Sequence, residues 1–161
     1  MKIGIVSDSH GDLEALQKSL FFLKETENVE HLFHLGDNAS DTVFMQHIIP
    51  SIFKVPGTRE TGYEDPAIRT LNISLEGISF SLSHVIDEKA PGVDVVVYGH
   101  THVPRAYLES DILYVNPGHV INNTMRYPFP TFAVLDSTRS SIIVRFYTLN
   151  LELLEEKEFL L

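Results

Sequence analysis

The sequence predicts an α/β fold (α+β in its second half) built of two packed β-sheets with a few outer helices, and three observations predict it. The first third alternates apolar runs of strand length with a segment of helical period. Most of the remainder consists of paired β-runs around two-residue turn signals. Four of the apolar runs end in Asp or His, and the carboxyl ends of strands are where open α/β sheets place their ligand crevice.

The elements follow in order. Ile3-Gly4-Ile5-Val6 is the first strand and leads into Asp8-Ser9-His10-Gly11. Leu13, Leu16, Leu20 and Leu23 recur at spacings of three and four, so Asp12–Glu25 is a helix with a core-facing leucine stripe and Asp12 as N-cap. The run from His31 to Leu35 is a strand leading into Gly36-Asp37-Asn38, and a second helix is expected over Asp41–Ile48, closed by Pro50. Ile52–Val55 is a third strand that runs into Pro56-Gly57. Glu76-Gly77 joins Arg69–Leu75 to Ile78–Ser83 as a hairpin, and Ser110-Asp111 joins Ala106–Leu108 to Ile112–Val115. Phe132–Leu135 and Ile142–Phe146 form the last pair, with the final strand extending towards Leu153. The acidic end, Glu152–Leu161, fits either an edge strand or a short helix.

Composition narrows the functional classes. At 161 residues with 43% apolar side chains, one domain spanning 1–161 is expected. With no cysteine there is no disulfide framework, thiolate metal site or catalytic thiol. The apolar start reaches Asp8 too soon for a signal peptide, and no run approaches the ~18 apolar residues of a membrane span. A cytoplasmic protein without membrane partners is therefore expected. The net charge of −10, from 22 acidic and 12 basic residues, speaks against non-specific nucleic-acid binding, which needs a basic surface. Four glutamates near the end, Glu152, Glu155, Glu156 and Glu158, supply part of that excess and fit a solvated surface.

The chemistry-bearing residues are Asp8, His10, Asp37, His84, His100 and His102. Each lies just beyond an apolar run: Ile3–Val6, His31–Leu35, Phe80–Ser83 or Val95–Tyr98. Imidazole nitrogens mixed with carboxylate oxygens suit Mn, Fe, Zn, Co or Ni better than Mg or Ca. Singly, each residue has an ordinary structural explanation, such as a helix cap or a surface imidazole. As a convergent set they indicate a metal-dependent hydrolase site.

The ordered series Asp8-Ser9-His10, Gly36-Asp37, Gly57-Thr58-Arg59-Glu60, His84 and Gly99-His100-Thr101-His102, with Asn116-Pro117-Gly118 after it, resembles the calcineurin-like metallophosphoesterase superfamily. Within it, the chain looks like the small single-domain bacterial and archaeal phosphodiesterase branch. The resemblance implies a four-layer sandwich, two mixed β-sheets flanked by helices. It implies two divalent metal ions, with Mn2+ ahead of Zn2+, Fe2+, Ni2+ or Co2+. Asp8, His10, Asp37 and His102 would hold one, and Asp37, His84, His100 and a loop side chain the other. It also implies hydrolysis of a small phosphoester, diester before monoester, by a hydroxide activated between the two metals.

Two departures matter. The family has Asn after the loop glycine, where its side-chain carbonyl ligates the second metal; Thr58 is a shorter, weaker donor. The next position, often His in relatives, is Arg59, which either holds phosphate bidentately or forms an exposed ion pair with Glu60. In addition, Val85 follows His84, and Pro91-Gly92 favours a loop where relatives carry a helix, so the site is expected to be open on that side.

His31, His34 and His47 fit no element of the motif and are expected to be packed or surface side chains. His119 either lines the pocket and moves a proton or is an ordinary loop histidine, with the second weighed more heavily. Tyr127-Pro128-Phe129-Pro130 either borders a pocket or pins a loop. The rival to an enzyme is a catalytically weakened scaffold or binding module with the same fold, like the retromer subunit that shares it; a nucleotide-sensing domain ranks last. Oligomeric state is not legible.

Overall fold

The apolar run that opens the chain forms a strand buried along nearly its whole length, in the middle of a sheet. The computed structural model describes residues 1–47, 49, 51–58, 60, 69–86, 92–122, 129–138 and 140–160. In chain order the strands are β1 (Lys2–Val6), β2 (His31–His34), β3 (Ser51–Lys54), β4 (Thr70–Leu75), β5 (Ile78–Ser83) and β6 (Val95–Tyr98). They continue with β7 (Arg105–Glu109), β8 (Ile112–Asn116), β9 (Thr131–Ser137), β10 (Ser141–Thr148) and β11 (Leu153–Leu160). The helix α1 (Leu13–Glu25) follows β1, and a 3-10 helix (Ala39–Met45) follows β2.

One sheet has six strands in the order β11-β10-β9-β1-β2-β3, the other five in the order β4-β5-β6-β8-β7. Both are mixed. β1, β2 and β3 run parallel, as do β5, β6 and β8, while the hairpins supply the antiparallel pairs. The β4–β5 and β7–β8 turns carry positive φ at both central residues, Glu76 and Gly77, then Ser110 and Asp111, as tight hairpins require.

The sheets pack face to face. Ile3, Ile5, Phe33 and Leu35 meet Phe80, Leu82, Val95, Val97 and Val115 in one cluster, with Phe33 edge-on to Phe80 at 5.4 Å between ring centres. The other face of the six-stranded sheet carries α1, whose Leu16, Leu20 and Leu23 bury against Val6, Leu32, Phe132 and Val134. Asp12 caps this helix, accepting the Ala15 N–H at 3.1 Å. Leu13 departs from the expected core stripe: it opens the first turn of the helix and is 52% exposed.

The expected helix over Asp41–Ile48 is instead the 3-10 helix Ala39–Met45. The Thr42 hydroxyl donates to the Ala39 carbonyl at 2.9 Å, and Gln46 N–H donates to Val43 O rather than one residue further back. Short polar and β-branched side chains favour such tight pieces over an α-helix. At the other end, β10 stops at Thr148. The acidic end forms a separate edge strand, β11, paired with β10 and offset by an irregularity at Phe146/Tyr147. Among the described residues, no helix is long and apolar enough to cross a membrane.

Candidate metal centre

Parallel strands share a direction, so β1, β2 and β3 from one sheet and β5 and β6 from the other present carboxyl ends that carry the motif loops. Asp8 and His10 follow β1, Asp37 follows β2, Gly57 and Thr58 follow β3, His84 follows β5, and His100 and His102 follow β6. The loops are sharply folded. Asp8, His10, Asp37, His100 and His102 all have positive φ, between 46° and 63°, an uncommon region for residues with a Cβ. Such strain persists where surrounding structure enforces it, and it collects at functional sites.

The side chains converge. His102 Nε2 lies 3.0 Å from Asp8 Oδ1, and His10 Nε2 lies 3.7 Å from the same oxygen. Asp37 Oδ2 lies 3.5 Å from His10 Nε2 and 3.5 Å from His84 Nε2, while His84 Nε2 is 3.9 Å from Asp8 Oδ1. Two overlapping triads result, Asp8–His10–His102 and Asp8–Asp37–His84. His100 joins through His84, its Nδ1 3.3 Å from His84 Nε2, and its backbone N–H donates to Asp8 Oδ2. Asp8 and His84 are buried, whereas His10 and His100 reach solvent, so the cluster opens outward.

The donor set fits a cation. His84 Nδ1 is 2.7 Å from the Leu35 carbonyl. A carbonyl only accepts, so Nδ1 carries the hydrogen and Nε2 of the neutral ring is a lone pair. That lone pair faces two carboxylates, with His100 Nδ1 also beside it, and a cation among these groups would offset the repulsion between them. A ligand histidine anchored through its other nitrogen to a backbone carbonyl is the usual second-shell arrangement of metal sites. Asp8 Oδ1 is buried and, among the described residues, receives no hydroxyl or backbone N–H; imidazole nitrogens are what face it. Burial works to raise the Asp8 carboxyl, but hydrogen bonds from His102 and Ser7 outweigh it and hold it below the usual carboxylate value.

Four residues whose contribution sequence reasoning missed or underweighted hold these loops. Asn116 Nδ2 donates to Gly99 O at 2.7 Å and to Thr101 Oγ1 at 3.1 Å, fixing the loop between His100 and His102. Glu60 Oε2 accepts the N–H groups of Asn38 at 2.9 Å and Gly57 at 3.0 Å, tying together the Asp37 and Thr58 loops. His34 is fully buried; its Nδ1 accepts Gly36 N–H, and its Nε2 lies 3.4 Å from the Ser9 hydroxyl. Burial pushes this imidazole down to about 3. His119, weighed above as an ordinary loop residue, is fully buried with its ring 5.1 Å from that of His102. Burial and then His102 push it down to about 4. The one available signal was proximity to Asn116-Pro117-Gly118; nothing local announced the contact.

Gly57 permits the closest approach in the site. A Cβ there would sit 1.9 Å from Asp37 Oδ1 and 2.2 Å from Asp37 N. Thr58 is exposed on the same side as His84, both lining one cleft. Arg59, Tyr127 and Pro128 lie outside the described residues, as does Pro91. Val85 is exposed beside His84. His47 is at the surface, and His31 bonds to the Ser51 hydroxyl at the start of the strands, away from the loops at their carboxyl ends.

The family model for the calcineurin-like phosphoesterase superfamily domain matches residues 1–140. The phosphodiesterase MJ0936 of Methanocaldococcus jannaschii is 29% identical over 161 aligned residues, covering 86% of this chain and 95% of that protein. Among solved structures, the phosphoesterase YfcE of E. coli superposes with a TM-score of 0.77 at 23% identity, over 98% of both chains. Vacuolar protein sorting 29 of Cryptosporidium parvum superposes with a TM-score of 0.78 at 16% identity, over 99% of this chain and 98% of that one. At such identities the two superpositions establish a shared fold.

Proposed function

The chain belongs to the calcineurin-like phosphoesterase superfamily, and from that premise we propose that it is a metal-dependent hydrolase of small phosphoesters, diesters before monoesters, acting from one domain over residues 1–161. The observation that carries this reading is the position of Asp37 Oδ2, 3.5 Å from imidazoles on both sides, His10 and His84. A carboxylate so placed can serve two cations at once. Asp8, His10, Asp37 and His102 would hold one, and Asp37, His84, His100 and Thr58 the other. Bound there, the pair would supply Lewis acidity towards a phosphoryl oxygen and activate water at neutral pH. The mixed N/O donor set suits Mn2+, Zn2+, Fe2+, Ni2+ or Co2+, and the family resemblance puts Mn2+ first among the metals to test.

The protein's own contribution is positioning. The Leu35 carbonyl orients His84, the Asn116 amide holds the loop of His100 and His102, and Glu60 locks the Asp37 loop against Gly57. The shell is therefore set before substrate arrives, which lowers the reorganisation needed in the reaction. The open side at His10 and His100 leaves an approach for an anionic ester.

Thr58, exposed where the family carries Asn, favours the rival reading of a binding module that kept the fold. Chelator-stripped protein supplied with Mn2+ separates the two. Hydrolysis of bis(4-nitrophenyl) phosphate is expected; no turnover of that diester or of 4-nitrophenyl phosphate with any of the five metals would leave the binding module.

A further inference from the structure

A cleft of about 330 Å3 adjoins the cluster, with His84 and Thr58 as walls common to both. Pro56 and Thr58 line it from the loop after β3, Val85 and Ile86 from the segment after β5, and Arg69 and Thr70 from the start of β4. That volume sits at the low end of small-molecule sites, enough for one ring-sized group. Its composition, among the described residues, is mixed in a specific way: an apolar surface from Pro56, Val85 and Ile86 with the Arg69 guanidinium beside it. Val85 is 47% exposed although large and apolar, with the cleft in front of it. Arg69 Nη1 donates to the Gly57 carbonyl at 3.4 Å, which anchors the guanidinium to the loop that carries Thr58. A guanidinium presents five N–H donors in one plane, and among the described residues the bond of Arg69 to the Gly57 carbonyl leaves a directed donor edge. In a chain of net charge −10, a cation at this spot is a local attraction for an anionic ligand.

We propose that this cleft is the subsite for one ester arm of the substrate, and that it selects a flat aromatic arm bearing a carboxylate. Arg69 binds the carboxylate while Val85, Ile86 and Pro56 cover the ring. The inference rests on the hydrolase reading for the placement of phosphorus at the cluster, with His84 adjoining both parts.

Calorimetric titration of the manganese-loaded protein with three non-hydrolysable probes tests it: methylphosphonate, phenylphosphonate and 4-carboxyphenylphosphonate. Phenylphosphonate should bind several-fold tighter than methylphosphonate, and the carboxyphenyl probe about tenfold tighter again, as for a charge-assisted pair. Arg69→Ala should remove the last step while leaving the other two affinities unchanged, and Val85→Ser should shrink the first. Equal or absent binding of all three probes would overturn the proposal. So would an Arg69→Ala variant that weakens methylphosphonate as much as the carboxyphenyl probe, since Arg69 would then merely support the loop. Graded binding without turnover of any ester would sink the hydrolase reading and keep the subsite; turnover with ungraded binding would do the reverse.

Discussion

Asp37 Oδ2 lies 3.5 Å from His84 Nε2, a carboxylate from the six-stranded sheet meeting an imidazole from the five-stranded one. The candidate centre is thus a seam between two sheets and exists only when both are folded and docked. Cations held at a seam bind the native state and not the unfolded chain, so metal binding and stability are linked.

Metal removal should therefore destabilise the protein. At a free Mn2+ concentration a hundred times its dissociation constant, linkage supplies about 2.7 kcal/mol. For a domain of this size that is a rise in Tm of roughly 5–10 °C over the chelated protein. Differential scanning calorimetry with Mn2+ and with EDTA checks it, and superimposable traces would count against the site.

Gly57→Ala should damage the centre from the backbone. The added methyl would fall 1.9 Å from Asp37 Oδ1 and 2.2 Å from Asp37 N, so the Asp37 loop has to shift. Loss of one or both cations and a fall in stability of about 1–3 kcal/mol are expected. Metal analysis and urea unfolding on the same sample read both. A variant with normal metal content would show that the close approach does not position Asp37.

Thr58→Asn restores the longer carbonyl donor beside His84. It should tighten the weaker of two metal sites and raise turnover at sub-saturating Mn2+, with little change at saturation. A metal titration of nitrophenyl diester hydrolysis distinguishes this from a uniform change.

His34 predicts an acid limb in stability. Its folded value is about 3 against 6.5 for the ordinary imidazole, because burial favours the neutral ring. A histidine depressed by folding contributes stability that is complete above about pH 6.5 and is lost as pH falls towards 3, at up to about 1.4 kcal/mol per pH unit. Urea midpoints between pH 7 and 4.5 should fall in the wild type and fall less steeply in His34→Asn. Equal slopes would show that His34 is not held neutral.

Much of this is legible in the sequence. Apolar runs ending in Asp or His placed Asp8, Asp37, His84 and His102 at strand ends, because strand length and alternation are local properties. The Asp12 cap and the Glu76-Gly77 turn are local too, and the structure has both. What was not legible depends on which loops meet. Glu60 reads in the sequence as a partner for Arg59, which lies outside the described residues; that its carboxylate also bridges Asn38 and Gly57 had no local signal. His34 and His119 looked incidental, and both are buried against or beneath motif loops. The extent of the segment after Asp37 depended on a Thr42 hydroxyl turning back on its own backbone, and helical periodicity does not register that choice.

The most direct test of the shared carboxylate is a count of bound manganese by elemental analysis, on chelator-stripped, Mn2+-reconstituted protein and on Asp37→Asn. Two equivalents per chain in the wild type, falling to one or none in the variant with turnover reduced at least about a hundredfold, are predicted. No bound manganese in the wild type, or two equivalents retained without the Asp37 carboxylate, would contradict the account.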